Sequence, residues 1–215
     1  PLDRGERVEA RFLAALSPPT AEPFPVGRKR LALAQRIIDP GNPLLRRVIV
    51  NWVWQHHFGR GLVRTPDDFG TRGEPPTHPE LLDYLAVKFL DDNWSLKQLH
   101  RRMMLTRTYQ QAAVEHRMSR IADPENKFLW RYPRRRLDME AMRDAMLAVS
   151  GELDVTKIGG RPFDFPSEPV VPRRSLYGFV NRDIVSSLSS TFDRADPSSC
   201  TAKRPETNVP QQTLF

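Results

Sequence analysis

The chain has 215 residues, of which 39% are hydrophobic and 27% charged, with a mean hydropathy of -0.53 and a formal charge of +7. That length supports a sizeable core in one large or two small domains, and no apolar run approaches the length of a membrane span. A single cysteine, Cys200, excludes an internal disulfide framework and a multi-cysteine zinc site.

Residues 1–27 read as a Pro-rich linker or the end of a preceding domain, with a short helical piece around Glu6 to Leu16. A helix is predicted from about Arg28 to Asp39, with Leu31, Ala34 and Ile38 on one face. Asp39-Pro40-Gly41 is a turn. The next helix is the best delimited: Asn42 caps it, Pro43 fits its first turn and Gly59 closes it. It is apolar nearly all round, as befits the middle of a core, yet it carries Arg47, Asn51, Gln55, His56 and His57. Residues 60–76 form a Gly/Pro-rich loop. Thr77 with Glu80 is a capping-box pattern for a helix whose stripe is Leu81, Leu82, Leu85, Phe89 and Leu90. Asn93-Trp94 ends it, and Ser95 with Gln98 starts another that runs to about Tyr109 and buries Leu96, Leu99 and Met103. Asp123-Pro124 opens a short helix ending near Trp130. Asp138 caps a further one to Ser150, with a stripe of Met139, Met142, Met146 and Val149 and a Gly151 stop. Residues 151–172 form a loop punctuated by Gly159-Gly160, Pro162, Pro166 and Pro169. Ser175 to Val180 reads as a short strand or extended edge, and Asn181 as the cap of a last helix through Leu188 and Phe192. The fold class is all-α: an irregular domain of six to seven helices over residues 28–215, with long loops and at most one short strand pair.

Several constellations carry chemistry. His56 and His57 invite a metal, but adjacent helix positions point about 100° apart. A zinc site there needs His78, His100 or an acid from another segment, and the plainer reading is one core histidine with the other near the surface. Asp67, Asp68, Arg72, Glu74 and His78 lie on or beside the Gly-rich loop. Close carboxylates can do acid–base work or hold a divalent ion, while turn chemistry explains the same residues more simply. Arg136, Glu140, Arg143 and Asp144 belong to the densest charge cluster. Glu140 and Asp144 share a helix face four residues apart and repel unless arginine neutralises them. Thr106 to Tyr109 suits local helix-end bonding. Of the 33 basic residues 27 are arginine, with acids interleaved among them. Nucleic-acid binding therefore rests on net charge alone and is not expected.

Long strings carry a resemblance: N-P-L-L-R-R-V-I-V-N-W-V-W-Q-H-H-F-G-R-G-L-V-R-T-P-D-D-F-G, then G-E-P-P-T-H-P-E-L-L-D-Y-L and W-S-L-K-Q-L-H-R-R-M-M-L-T-R-T-Y. D-P-E-N-K-F-L-W-R, R-R-R-L-D-M-E-A-M-R-D-A, R-R-S-L-Y and V-P-Q-Q-T-L-F continue it. From about Arg28 onward the chain resembles the C-terminal domain of large exported planctomycete proteins, domain of unknown function 1553. Trp52 departs from the arginine expected there. The resemblance implies a periplasmic or cell-surface setting, companion domains in the same longer chain and a cytochrome-c-like domain upstream. Any c-type haem belongs to that other domain; no cofactor and no metal are expected in this segment. It also implies that the domain continues past Phe215.

Two functions follow. The first is a structural or interaction module packing on a companion domain, with Arg47, Asn51 and Gln55 tying the Gly-rich loop and residues 134–144 together. The second is a domain that binds or acts on extracellular polysaccharide, for which Asp67, Asp68 and His57 are the catalytic candidates. Either way, function is expected where the central helix ends and the loop begins.

Overall fold

The computed structural model describes residues 8–164, 170–181, 183–196 and 198–213. Eight α-helices appear among them and only one isolated β-bridge, Phe163 to Gly178, so the fold is mainly helical. The helices are α1 (Lys29–Ile38), α2 (Pro43–Phe58), α3 (Pro79–Asp91), α4 (Leu96–Met104), α5 (Arg107–Gln110), α6 (Arg117–Ala122), α7 (Met139–Ser150) and α8 (Ser187–Thr191). The chain divides into two compact units, Pro1–Pro133 and Arg134–Phe215.

The first unit is built on α2. The Asn42 side chain accepts the Leu44 N–H at 3.1 Å and Pro43 takes the first turn. Gly59 closes the helix at φ 79, a left-handed conformation that costs a residue without Cβ nothing. Val50, Val53, Trp54 and Phe58 of α2 pack on Leu82, Leu85 and Phe89 of α3 and on Leu99 and Met103 of α4. Each such side chain contributes on the order of 1.5–3 kcal/mol when fully buried. The helix is not covered all round: Trp52 and His56 are exposed, and the Trp52 indole donates to the Pro66 carbonyl at 3.4 Å. α3 ends where Asn93 and Trp94 turn to φ 51 and 59. That conformation is costly for tryptophan. The Trp94 N–H bond to the Phe89 carbonyl and its ring packing 5.2 Å from Phe89 offset the cost. The face of α1 that holds Leu31, Ala34 and Ile38 is exposed.

Local predictions fail where backbone groups find other partners. Glu6 lies outside the described residues, and residues 8–13 are not helical; only Ala14–Leu16 forms a 3-10 turn. The Ala10 carbonyl instead accepts the Phe24 N–H. Thr77 does not cap α3, because its N–H and hydroxyl both face the Leu62 carbonyl; His78 holds the cap position. Ser95 caps α4 as expected, but the helix breaks at Leu105 because Thr106 turns its hydroxyl to the Met103 carbonyl and caps α5. Leu96 is half-exposed, while Leu99 and Met103 are buried. No helix follows Asp123-Pro124: the Asp123 carboxylate takes the N–H groups of Lys127 and Phe128, and α6 precedes it.

In the second unit Asp138 sits at the N-terminal cap position of α7 without a side-chain capping bond, and Gly151 stops the helix at φ 78. The methionine stripe is buried only at its start, with Met139 buried and Met142 half-buried. Met146 and Val149 are 50% and 90% exposed, and the buried positions are Met139 and Leu147. Arg143 and Asp144 share the inward side and drag it round, because their partners lie in the chain at 171–175. Pro166 and Pro169 lie outside the described residues. Ser175–Tyr177 is a 3-10 turn rather than a strand. Asn181 accepts the Asp183 and Ile184 N–H groups in a local turn, and Ser186 caps α8. No helix among the described residues is long and apolar enough to cross a membrane.

Candidate functional site

Asn51 is wholly buried, and its amide bonds both backbone polar groups of one residue, Val63. Nδ2 donates to the Val63 carbonyl at 3.0 Å and Oδ1 accepts the Val63 N–H at 2.9 Å. This clamp fixes the loop that leaves α2. Within the loop the Thr65 hydroxyl donates to the Asp68 carbonyl at 2.8 Å and accepts the Glu74 N–H at 3.0 Å. Gly73 is required by close approach, since a Cβ there would lie 2.1 Å from the Asp68 carbonyl oxygen. The Asp68 carboxylate accepts the Gly70 N–H at 2.8 Å, and Asp67 and Arg72 are exposed.

The loop, held in this way, forms one wall of an open groove of about 380 Å³. Leu44 and Arg47 of α2 and Pro79, Leu82 and Asp83 of α3 complete it, with Phe69, Glu74, Pro75 and Pro76 from the loop. Arg47 Nε meets Asp83 Oδ1 at 2.6 Å. The groove therefore borders the first half of α2. The last turn of that helix is instead occupied by a ring cluster. His57 Nε2 lies 2.8 Å from His100 Nδ1, Tyr109 stands edge-on to the His57 ring, and the Tyr132 hydroxyl donates to the His57 carbonyl at 2.9 Å.

The predicted residues thus fall into separate places. Arg47 and Glu74 share the groove. Gln55 is buried and its carbonyl accepts the Gly59 N–H. His56 is exposed, and His57 meets His100 rather than its neighbour. His78 contacts the Thr77 hydroxyl and turns its ring edge to Phe128. Among the described residues no three of His, Cys, Asp and Glu form a group able to hold a metal ion.

In the second unit, Arg136 donates to Asp193, to the Thr207 carbonyl and to Gln212. Arg204 grips Glu140 through both guanidinium nitrogens at 2.8 and 2.9 Å. Arg143 donates to the Val171 and Arg173 carbonyls, and Asp144 accepts the Ser175 N–H and hydroxyl, both at 2.7 Å. The Arg204 hydrogen bond holds the Glu140 carboxyl below its ordinary range, against partial burial. For Asp193, burial pushes upward, but the Thr207 hydroxyl and N–H and the Arg136 charge outweigh it and the net shift is downward. These side chains are fasteners, each joining α7 or its lead-in to an irregular segment.

Sequence reasoning missed Asp83, Phe69 and the proline wall of the groove. Their signal was present, in an aspartate one helical turn into α3 and in the E-P-P string, but only the fold shows that they face α2. It also missed the outer face of α7, which its own methionine spacing had marked as core. Met146 and Val149 are exposed there with Ala141, Ala145 and Ala148, and Met142 is half-buried.

Compared with known proteins, residues 29–215 match the family model PSD1, described as protein of unknown function (DUF1553). No curated protein and no solved structure matches the chain.

Proposed function

Since the chain belongs to the PSD1 family of proteins of unknown function (DUF1553), we propose that it is a structural or interaction module that packs on a companion domain of a longer exported protein. The observation that carries this reading is the outer face of α7. At 100° per residue, Ala141, Met142, Ala145, Met146, Ala148 and Val149 make one continuous stripe without a charge. The charged residues of the helix, Glu140, Arg143 and Asp144, are engaged elsewhere in the unit by Arg204 and by residues 171–175. Apolar surface of this kind marks an interaction site. Methionine adapts to the surface it meets, and the alanines permit close helix approach.

A tethered companion fits this face better than a free partner. A 12-residue helix is only roughly 18 Å long, and an interface between separate proteins buries about 1,200–2,000 Å². A covalent link raises the effective concentration to about the millimolar range, so a smaller surface suffices. The periplasmic or cell-surface location belongs to this same proposal and rests on the family resemblance. Calorimetric titration of the companion domain tests it. Met146→Glu and Val149→Glu are expected to weaken binding at least about tenfold, the cost of burying an unpaired charge, while α7 stays folded. Unchanged affinity in both variants would sink the reading. The second expectation, a role on polysaccharide, rests on Asp67, Asp68 and His57 as its catalytic candidates, of which Asp68 accepts the Gly70 N–H and His57 meets His100.

A further inference from the structure

Independently of α7, we propose that the groove between α2, α3 and the 60–76 loop is a docking slot for a lysine or arginine side chain of a partner polypeptide. Three observations converge on that chemistry. The first is charge. The groove is lined by one guanidinium and two carboxylates, and Arg47 is neutralised by Asp83 at 2.6 Å. Glu74 is left as the uncompensated charge, an exposed carboxylate in a chain of net charge +7. An occupant that brings a cation completes the pair; one that brings an anion meets repulsion.

The second is the hydrogen-bonding character of the wall. Pro75, Pro76 and Pro79 have no N–H, so three residues of the lining bring no backbone donor to an occupant. A wall poor in donors beside the Glu74 carboxylate suits an occupant that brings its own. The third is the apolar remainder. Leu44, Phe69 and Leu82 with the proline rings form a floor suited to a methylene stem. A lysine or arginine side chain has that shape, with an apolar stem and a donor-rich head. The walls are also set in advance. Asn51 clamps Val63, the Thr65 hydroxyl pins the Glu74 N–H, and Gly73 lies against the Asp68 carbonyl. Little ordering cost then falls on binding.

The test is amide chemical-shift titration of the labelled chain with four probes: N-acetyl-lysine N-methylamide, its norleucine and glutamate counterparts, and a neutral cello-oligosaccharide. The lysine compound is expected to shift the amides of Gly70, Gly73 and Leu82, and to bind at least about fivefold more tightly than norleucine, in keeping with one charge-assisted hydrogen bond. Raising salt to about 0.5 M should erase most of that preference. Glu74→Gln should erase it at low salt, and Glu74→Lys should transfer it to the glutamate compound. The Glu74 side chain is exposed, and an unchanged amide spectrum outside the groove confirms that each variant is folded. Equal binding of lysine and norleucine, a preference that survives Glu74→Gln, or the same amides moved more strongly by the oligosaccharide would overturn the proposal. Absence of any shift by the lysine compound would do so as well.

Discussion

Asn51 decides how the central helix hands the chain to its loop. Both polar atoms of its amide are used on the backbone N–H and carbonyl of Val63, at full burial. Asn51→Ala removes both bonds and strands a buried N–H and a buried carbonyl. The expected loss is roughly 2–4 kcal/mol, since unmade buried hydrogen bonds cost more than made ones contribute. Urea unfolding followed by tryptophan fluorescence reads it, because all four tryptophans precede residue 134 and Trp54 lies in the core. A midpoint unchanged from wild type would show that the clamp is dispensable. The sequence marked Asn51 as a buried polar group in need of a partner, by its place on an apolar helix. It did not identify the partner, because Val63 contributes backbone and backbone leaves no trace in composition. His57 is similar: its spacing from His56 ruled out a shared ion, but His100, 43 residues away, is its partner only through the fold.

At the scale of elements, α7 is held by arginine–carboxylate fasteners more than by an apolar seam. Met139 and Leu147 are its buried apolar residues, whereas Glu140 is gripped by Arg204, and Arg143 and Asp144 reach residues 171–175. The folded-state shift of Glu140 is downward from its ordinary value of 4.5, chiefly through the Arg204 hydrogen bond. A depressed carboxyl contributes stability that is present above its unfolded value and lost as pH falls through the folded one. Arg204→Gln should therefore speed amide exchange in α7 near neutral pH, and the gap to wild type should close as pH drops below about 4.5. A gap that stays constant into acid would mean that the pair contributes nothing through charge. Helix ends with a strong local signal were legible in sequence, as at Asn42, Gly59, Ser95 and Gly151. Those at Thr77, Asp123 and Asn181 were not: Asp123 and Asn181 have local backbone partners that compete with capping, and Thr77 turns to the Leu62 carbonyl across the loop.

Across the whole molecule, burial is uneven. Among the described residues, the buried apolar core lies mostly in α2, α3, α4 and the start of the loop, while Arg134–Phe215 contributes Met139, Leu147 and Phe192. That second unit leaves Met146, Val149, Val155, Ile158, Leu176 and Phe179 exposed. The all-α class was readable from periodicity, but periodicity registers an apolar stripe without saying what covers it. The methionine spacing of α7 was read as core for that reason. In the proposed account it is core, completed by a companion domain. Methionine oxidation footprinting of this chain alone and of the full multidomain protein tests that claim most directly. Met146 is 50% exposed here, Met118 is 67% exposed in the first unit, and Met103 is 1% exposed. The account predicts that Met146 oxidises readily in the isolated chain and is protected in the full protein, with Met118 and Met103 as fast and slow references. Equal oxidation of Met146 in both would contradict it.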